Sequence, residues 1–266
     1  MKLLALIVFV VLTGSRTGAQ APAPQASPAN ATAPAKKADA TQTSPAPDAL
    51  PAPDSVIARY VRALGGEAVL KKITSRTLRG TFEVPAQGVT GEAEIQMAVP
   101  DHFYSLVKIS DDVRFIQAYD GKAGWSYDPQ RGLRDLAGAE LDQMRRSSQF
   151  EYELHFRELF PKVRVLAKVQ EGDRSAWVVE ATPAAGAAEK FYFDTENGLL
   201  LRHDSVQAGF DGDVPIVHRY SGYTAFDGVQ VPTVLHHSDP AVEWQVKFTE
   251  VRNNVPVDPA KFTKPQ

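Results

Sequence analysis

The chain has 266 residues, of which 43% are hydrophobic and 23% charged, and its formal net charge is -3. This is ordinary globular chemistry, with no basic excess to draw in a polyanion, so nucleic acid is excluded as an expected partner. The sequence holds no cysteine, which excludes a disulfide framework and the lipidated N-terminal cysteine of a bacterial lipoprotein.

The first 21 residues read as a secretory signal peptide. Lys2 supplies a short positive region, Leu3 to Leu12 an apolar stretch, and Ala19-Gln20-Ala21 a small-x-small cleavage pattern. The apolar run is shorter than the roughly 20 residues that a bilayer-spanning helix needs, so cleavage and export to the periplasm are expected over a retained anchor. Residues 22–52 are rich in Ala, Pro, Ser, Thr and Gln, with Leu50 as their single large aliphatic residue. Such a segment cannot bury enough apolar surface to offset its chain entropy, and it is expected to be a disordered linker.

One folded domain is expected over residues 53–266. Asp54 is a good N-cap, and Val56, Ile57, Tyr60, Val61 and Leu64 mark one apolar stripe of a helix that Gly65-Gly66 ends, with a further turn over Glu67 to Lys72. Strand signals follow. Thr90 to Met97 alternates strictly, with Gly91, Ala93, Ile95 and Met97 on one side and Thr90, Glu92, Glu94 and Gln96 on the other. Comparable runs cover Thr77–Val84, His102–Ile109, Val113–Tyr119, Gly124–Tyr127, Val163–Val169, Ala176–Ala181, Glu189–Phe193, Leu199–Ser205, Ile216–Phe226, Val229–His236 and Val242–Val251. Asp120-Gly121, Glu171-Gly172-Asp173, Glu196-Asn197-Gly198 and Asp227-Gly228 sit where hairpins would turn. Ala137 to Phe160 interrupts the strands with a helical, unusually aromatic stretch that Pro161 stops. The expected fold is mainly β with helices (α+β): a curved antiparallel sheet of about eleven strands, forming an open half-barrel plugged by the N-terminal helix and a central helical lid.

The order helix, about five strands, helical segment, about six strands resembles the bacterial outer-membrane lipoprotein-sorting family. The matching elements are Tyr119-Asp-Gly-Lys-Ala-Gly-Trp125, Phe191-Tyr-Phe-Asp194 with Gly198-Leu-Leu-Leu201, and the closing Pro256-Val-Asp-Pro-Ala-Lys-Phe262. Ile57-Ala-Arg-Tyr-Val-Arg-Ala-Leu-Gly-Gly66 resembles the opening of related exported proteins of the same fold group. The resemblance implies an exported periplasmic carrier, expected as a monomer, that holds lipid or lipoprotein acyl chains non-covalently in an apolar cavity. It implies no catalytic residue and no cofactor, and it allows transient contact with a membrane or an envelope protein.

Candidate cavity-lining residues are Ile95, Met97, Phe103, Phe115, Trp125, Trp177, Phe191, Phe193 and Trp244, with Phe150, Leu154 and Phe156 on the lid. Each methylene buried there is worth roughly 0.8 kcal/mol. The same side chains serve equally as a closed core, because alternation shows which side is apolar and not whether that side is filled. Arg145-Arg146 beside the aromatic stretch suits anionic headgroups, though a solvated helix face accounts for it as well. Glu140, Glu151, Glu153 and Glu158 read as the wet side of the same helix.

Among the histidines, His203, His218, His236 and His237 fall on late strands with Asp204 and Asp239 nearby. Two imidazoles and a carboxylate there would suit zinc, but no HExxH spacing occurs, and His236 and His237 point to opposite faces, so no metal site is expected. No GxSxG elbow or cysteine nucleophile supports hydrolysis. The alternatives to a carrier are a non-catalytic accessory subunit of an envelope complex, binding through a sheet face or edge, and an enzyme acting on a lipid or glycan, which would need a polar cluster inside the cavity.

Overall fold

The computed structural model describes residues 49–208 and 212–266. The expected signal peptide and most of the expected linker lie outside the described residues.

The opening helix α1 (Pro53–Ala63) starts two residues earlier than its carboxylate suggests. Pro53 takes the first helical position and Ala52 the cap, so Asp54 sits in the first turn, where its negative charge favours the helix N-terminus. Gly65 and Gly66, both at positive φ, turn the chain into α2 (Glu67–Leu70). Gly65 is required on two counts: its φ is 124°, and a Cβ there would lie 2.3 Å from the Gly228 carbonyl oxygen.

Among the described residues thirteen strands follow, all paired antiparallel in one sheet. They are β1 (Ser75–Val84), β2 (Val89–Ala98), β3 (His102–Lys108), β4 (Arg114–Tyr119), β5 (Gly124–Asp128), β6 (Gly132–Asp135), β7 (Lys162–Glu171), β8 (Arg174–Thr182), β9 (Glu189–Asp194), β10 (Leu200–Gln207), β11 (Val214–Phe226), β12 (Val229–Ser238) and β13 (Glu243–Asn253). Their order in the sheet is β6-β5-β4-β3-β2-β1-β13-β12-β11-β10-β9-β8-β7. The chain therefore enters at the middle of the sheet and steps outward hairpin by hairpin to the β6 edge. Residues 136–161 then carry it to the β7 edge, and it steps back until β13 pairs with β1. Joining opposite edges takes a connection of this length, whereas every other link spans six residues or fewer.

Two expectations are corrected. Among the described residues the sheet has thirteen strands where about eleven are expected; the runs read from the sequence match twelve of them, and the one without a run is β6, which has only four residues and no apolar alternation to announce it. The crossing segment is not one helix. It forms α3 (Gly138–Ser147), a run of turns, and the single-turn α4 (Phe156–Leu159).

One face of the sheet carries the main core. Directly paired residues share a face, and Phe103, Met97, Ile95, Leu78 and Phe82 in β1–β3 lie on the same side as Trp244, Val246, Leu235, Ile216, Phe191 and Phe193 in β9–β13. These residues are all buried, together with Val56, Ile57, Tyr60 and Leu64 from α1 and its end. A second, smaller cluster lies on the opposite face, where Tyr104, Ala118 and Trp125 pack under Phe262 of the C-terminal segment.

Candidate functional site

The crossing segment forms a strap over the core face, and polar contacts fasten it to both halves of the sheet. Near its start the Leu136 N–H donates to the Gly124 carbonyl of β5 at 2.8 Å. Further along α3, Gln143 donates from Nε2 to the Val206 carbonyl at 3.1 Å and accepts from the Ala208 N–H at 3.0 Å, which joins the helix to β10. After α3, the Phe150 N–H donates to the Pro100 carbonyl at 2.8 Å, on the turn between β2 and β3. In α4, Arg157 pairs with Asp54 of α1 at 2.9 Å.

The underside of the strap is aromatic. Tyr152, Phe156 and Phe160 are buried against one another, with ring centroids 4.9 to 6.1 Å apart. Phe156 and Phe160 meet Phe191 of β9 edge-on at 5.1 and 5.5 Å; Phe191 stacks on Phe193 at 6.2 Å, and Phe193 meets Tyr60 of α1 at 5.0 Å. Edge-to-face and offset contacts of this kind add about 0.5–1.5 kcal/mol per pair to the burial itself.

A polar line runs through this apolar interior. His203, His218 and His237 are directly paired across β10, β11 and β12 and are all buried. At one end the His203 Nε2–H donates to Glu189 Oε2 at 2.8 Å, with its ring stacked on Phe191 at 4.4 Å. The other carboxylate oxygen of Glu189 pairs with Arg146 of α3, whose guanidinium carbon lies 5.7 Å from the Phe160 ring centre. Burial pushes the Glu189 carboxyl up, but His203 and Arg146 outweigh it and hold the group below the usual carboxylate range. At the far end the His237 Nε2–H donates to Asp239 Oδ2 at 3.0 Å, so its Nδ1 accepts from the His218 Nε2–H at 2.9 Å. That tautomer leaves His218 Nδ1 as a buried acceptor without a hydrogen-bond partner. Burial first, then His237 and His203, hold His218 well below the ordinary imidazole range.

The structure places the candidate lining residues as follows. Ile95, Met97, Phe103, Phe115, Phe191, Phe193 and Trp244 are buried on the strap-covered face, and Phe156 is buried beneath the strap. Trp177 shares that face with its partner Phe193 but is half-buried near the β7 edge, where Lys168 lies 5.6 Å from its ring centre. Phe150 and Leu154 are half-buried and, with Arg76 and Glu153, line a cavity of about 20 Å³. Trp125 is on the other face. It pairs with Ala118, which pairs with Tyr104, and its indole N–H donates to the Phe262 carbonyl at 3.0 Å.

The charged residues also sort unequally. Arg145 is exposed and pairs with Asp142, as a solvated helix face would have it, whereas the Arg146 side chain is only 15% exposed. Glu153 is buried and not on a wet surface. His236 is exposed, and no group of three or more metal-ligating side chains is gathered in metal-holding geometry among the described residues. The histidine row had a sequence signal in the late-strand histidines. Glu189 was marked only by its period-two step from Phe191 and Phe193, which puts it on their side of the sheet.

No protein-family model and no curated protein matches the chain. Solved structures do share its fold. A DUF1329 family protein from Desulfovibrio piger superposes with a TM-score of 0.54 at 12% identity, covering 79% of this chain and 97% of that one. A LolA superfamily protein from Nitrosomonas europaea gives 0.54 at 10% identity, over 80% and 97% of the two chains. A domain described for outer membrane lipoprotein sorting in Vibrio parahaemolyticus gives 0.52 at 12% identity, over 77% and 94%. The superpositions show a common fold, and at 10–12% identity they leave function to the site.

Proposed function

We propose that the chain is an exported, non-catalytic carrier of the cell envelope that holds an acyl chain or a similar apolar ligand between the sheet and the strap. In this reading residues 1–21 are a cleaved signal peptide, residues 22–52 a tether, and the sheet an open half-barrel, because strongly twisted sheets wider than about ten strands curl.

The observation that carries the reading is the strap itself. Its aromatic underside covers the apolar face, while its polar fastenings are a handful of hydrogen bonds and ion pairs, of which Arg157–Asp54 is exposed and Arg146–Glu189 buried. The hydrogen bonds and the exposed pair contribute about 1 kcal/mol each, and breaking the buried pair costs about 3–5 kcal/mol. A ligand chain gains roughly 0.8 kcal/mol per buried methylene, so a long acyl chain can offset the cost of lifting the strap. In the strapped state Phe156 packs against Phe191, so an acyl chain enters by lifting α3 and displacing that ring.

Mass spectrometry of organic extracts from natively purified protein tests the reading. Co-purifying acyl lipid in near-stoichiometric amount is the expected result. Lipid-free protein that also fails to bind a neutral fluorescent acyl probe overturns it.

A further inference from the structure

We infer that the interior takes an amphiphile with a cationic head, and that Arg146 occupies the head-group position when no ligand is bound. The inference rests on the carrier reading and adds the chemistry of the cargo.

Arg146 is the strap's own cation. Its guanidinium is held between the Glu189 carboxylate and the Phe160 ring. A carboxylate beside an aromatic face is the arrangement that recognises ammonium groups, by charge pairing and by attraction to the ring quadrupole. Phe191 and Tyr152 extend the aromatic wall around it.

Lifting α3 takes Arg146 away from Glu189, which stays on β9; its side chain is 6% exposed with α3 in place, and an apolar ligand chain lying over it keeps it from water. A buried carboxylate left with the imidazole of His203 alone is under-compensated. An entering cation restores the lost pairing. An entering carboxylate or phosphate meets a like charge at the same place.

The route is already partly open. A cavity of about 120 Å³ adjoins the pair, walled by Ala139, Gln143 and Val206. Its charged lining is Asp142, Asp213 and Glu189 against Arg146 among the described residues, an acidic excess that favours a cation along the approach.

Calorimetric titration with decylamine, decanol and decanoate near neutral pH tests the inference, because the three share one chain and differ in head charge. Decylamine is expected to bind at least about tenfold more tightly than the other two. Arg146→Ala removes the competing cation and is expected to raise decylamine affinity by about tenfold, with a smaller change for decanol. Glu189→Gln is expected to bring the three affinities together. Should that variant not fold, Phe160→Leu keeps the apolar volume, removes the ring face and is expected to reduce the preference. Equal binding of all three, or tighter binding of decanoate, overturns the cationic head and leaves the carrier reading intact. Failure of all three to bind removes both.

Discussion

His237 lies face to face with Trp244 across β12 and β13, with ring centroids 4.4 Å apart and planes 5° from parallel. The stack fixes the imidazole so that one nitrogen serves Asp239 and the other His218. Among the described residues no partner meets His218 Nδ1, so a second proton there makes a buried N–H without an acceptor. The surrounding elements supply His203 on β10, His237 and Asp239 at β12, and Tyr220 on its own strand, with Glu189 and Arg146 beyond His203.

Stability should therefore fall on mild acidification. The folded pKa of His218 lies below that of the unfolded imidazole, near 6.5, so the unfolded chain takes up a proton that the native protein refuses. The contribution is present in full above about pH 6.5 and is lost as pH descends from there toward the folded value, at about 1.4 kcal/mol per pH unit. Glu189 and Asp239, whose folded pKa values are lowered, lose their contributions at more acidic pH, below the ordinary carboxylate range. Urea unfolding at about pH 7 and about pH 5.5 measures the slope. His218→Gln keeps a donor for His237 without titrating, and should flatten it.

Phe262 is expected to anchor the C-terminal segment independently of the ligand face. It is 2% exposed, packs on Trp125 and Tyr104, and is flanked by Lys261 paired with Glu94 at 2.9 Å and Lys264 paired with Asp135 at 2.8 Å. Phe262→Ala should cost about 3–5 kcal/mol in unfolding free energy, the range for emptying a buried phenylalanine site. Acyl-probe affinity of the folded variant should stay unchanged, because this cluster lies on the far side of the sheet.

Gly65→Ala is expected to loosen α1 from the turn between β11 and β12. The substitution forces an L side chain to a φ of 124° and its Cβ into the Gly228 carbonyl. It also disturbs the neighbouring Gln230 N–H to Leu64 carbonyl bond of 2.9 Å. Strain of about 1–3 kcal/mol is added to the steric displacement. Hydrogen exchange should show α1 amides exchanging faster while the β1–β2 amides keep their protection.

Much of the fold was legible because its strands obey period two: Thr90 to Met97 lies within β2, with Ile95 and Met97 buried as their alternation indicates. Gly65-Gly66 marked the helix end correctly, since positive φ is what those glycines supply. Trp125 shows where such reading stops. Alternation in the five-residue β5 separates two faces but does not say which one is buried by the strap, and the cover over Trp125 comes from Phe262 at the far end of the chain. Histidines at 203, 218 and 237 form a row only through the register of three strands. The break between α3 and α4 was hidden because its aromatic residues fit a helix as well as they fit turns packed on a core.

Tethering the strap tests the central claim most directly. The chain has no cysteine, so Gln143→Cys with Val206→Cys places two unique thiols where α3 meets β10, and a short bis-maleimide can join them. The unlinked double variant is expected to bind a neutral fluorescent acyl probe, and the linked protein to lose at least about tenfold in affinity. Equal affinity before and after linking would contradict a ligand site that opens by movement of this strap.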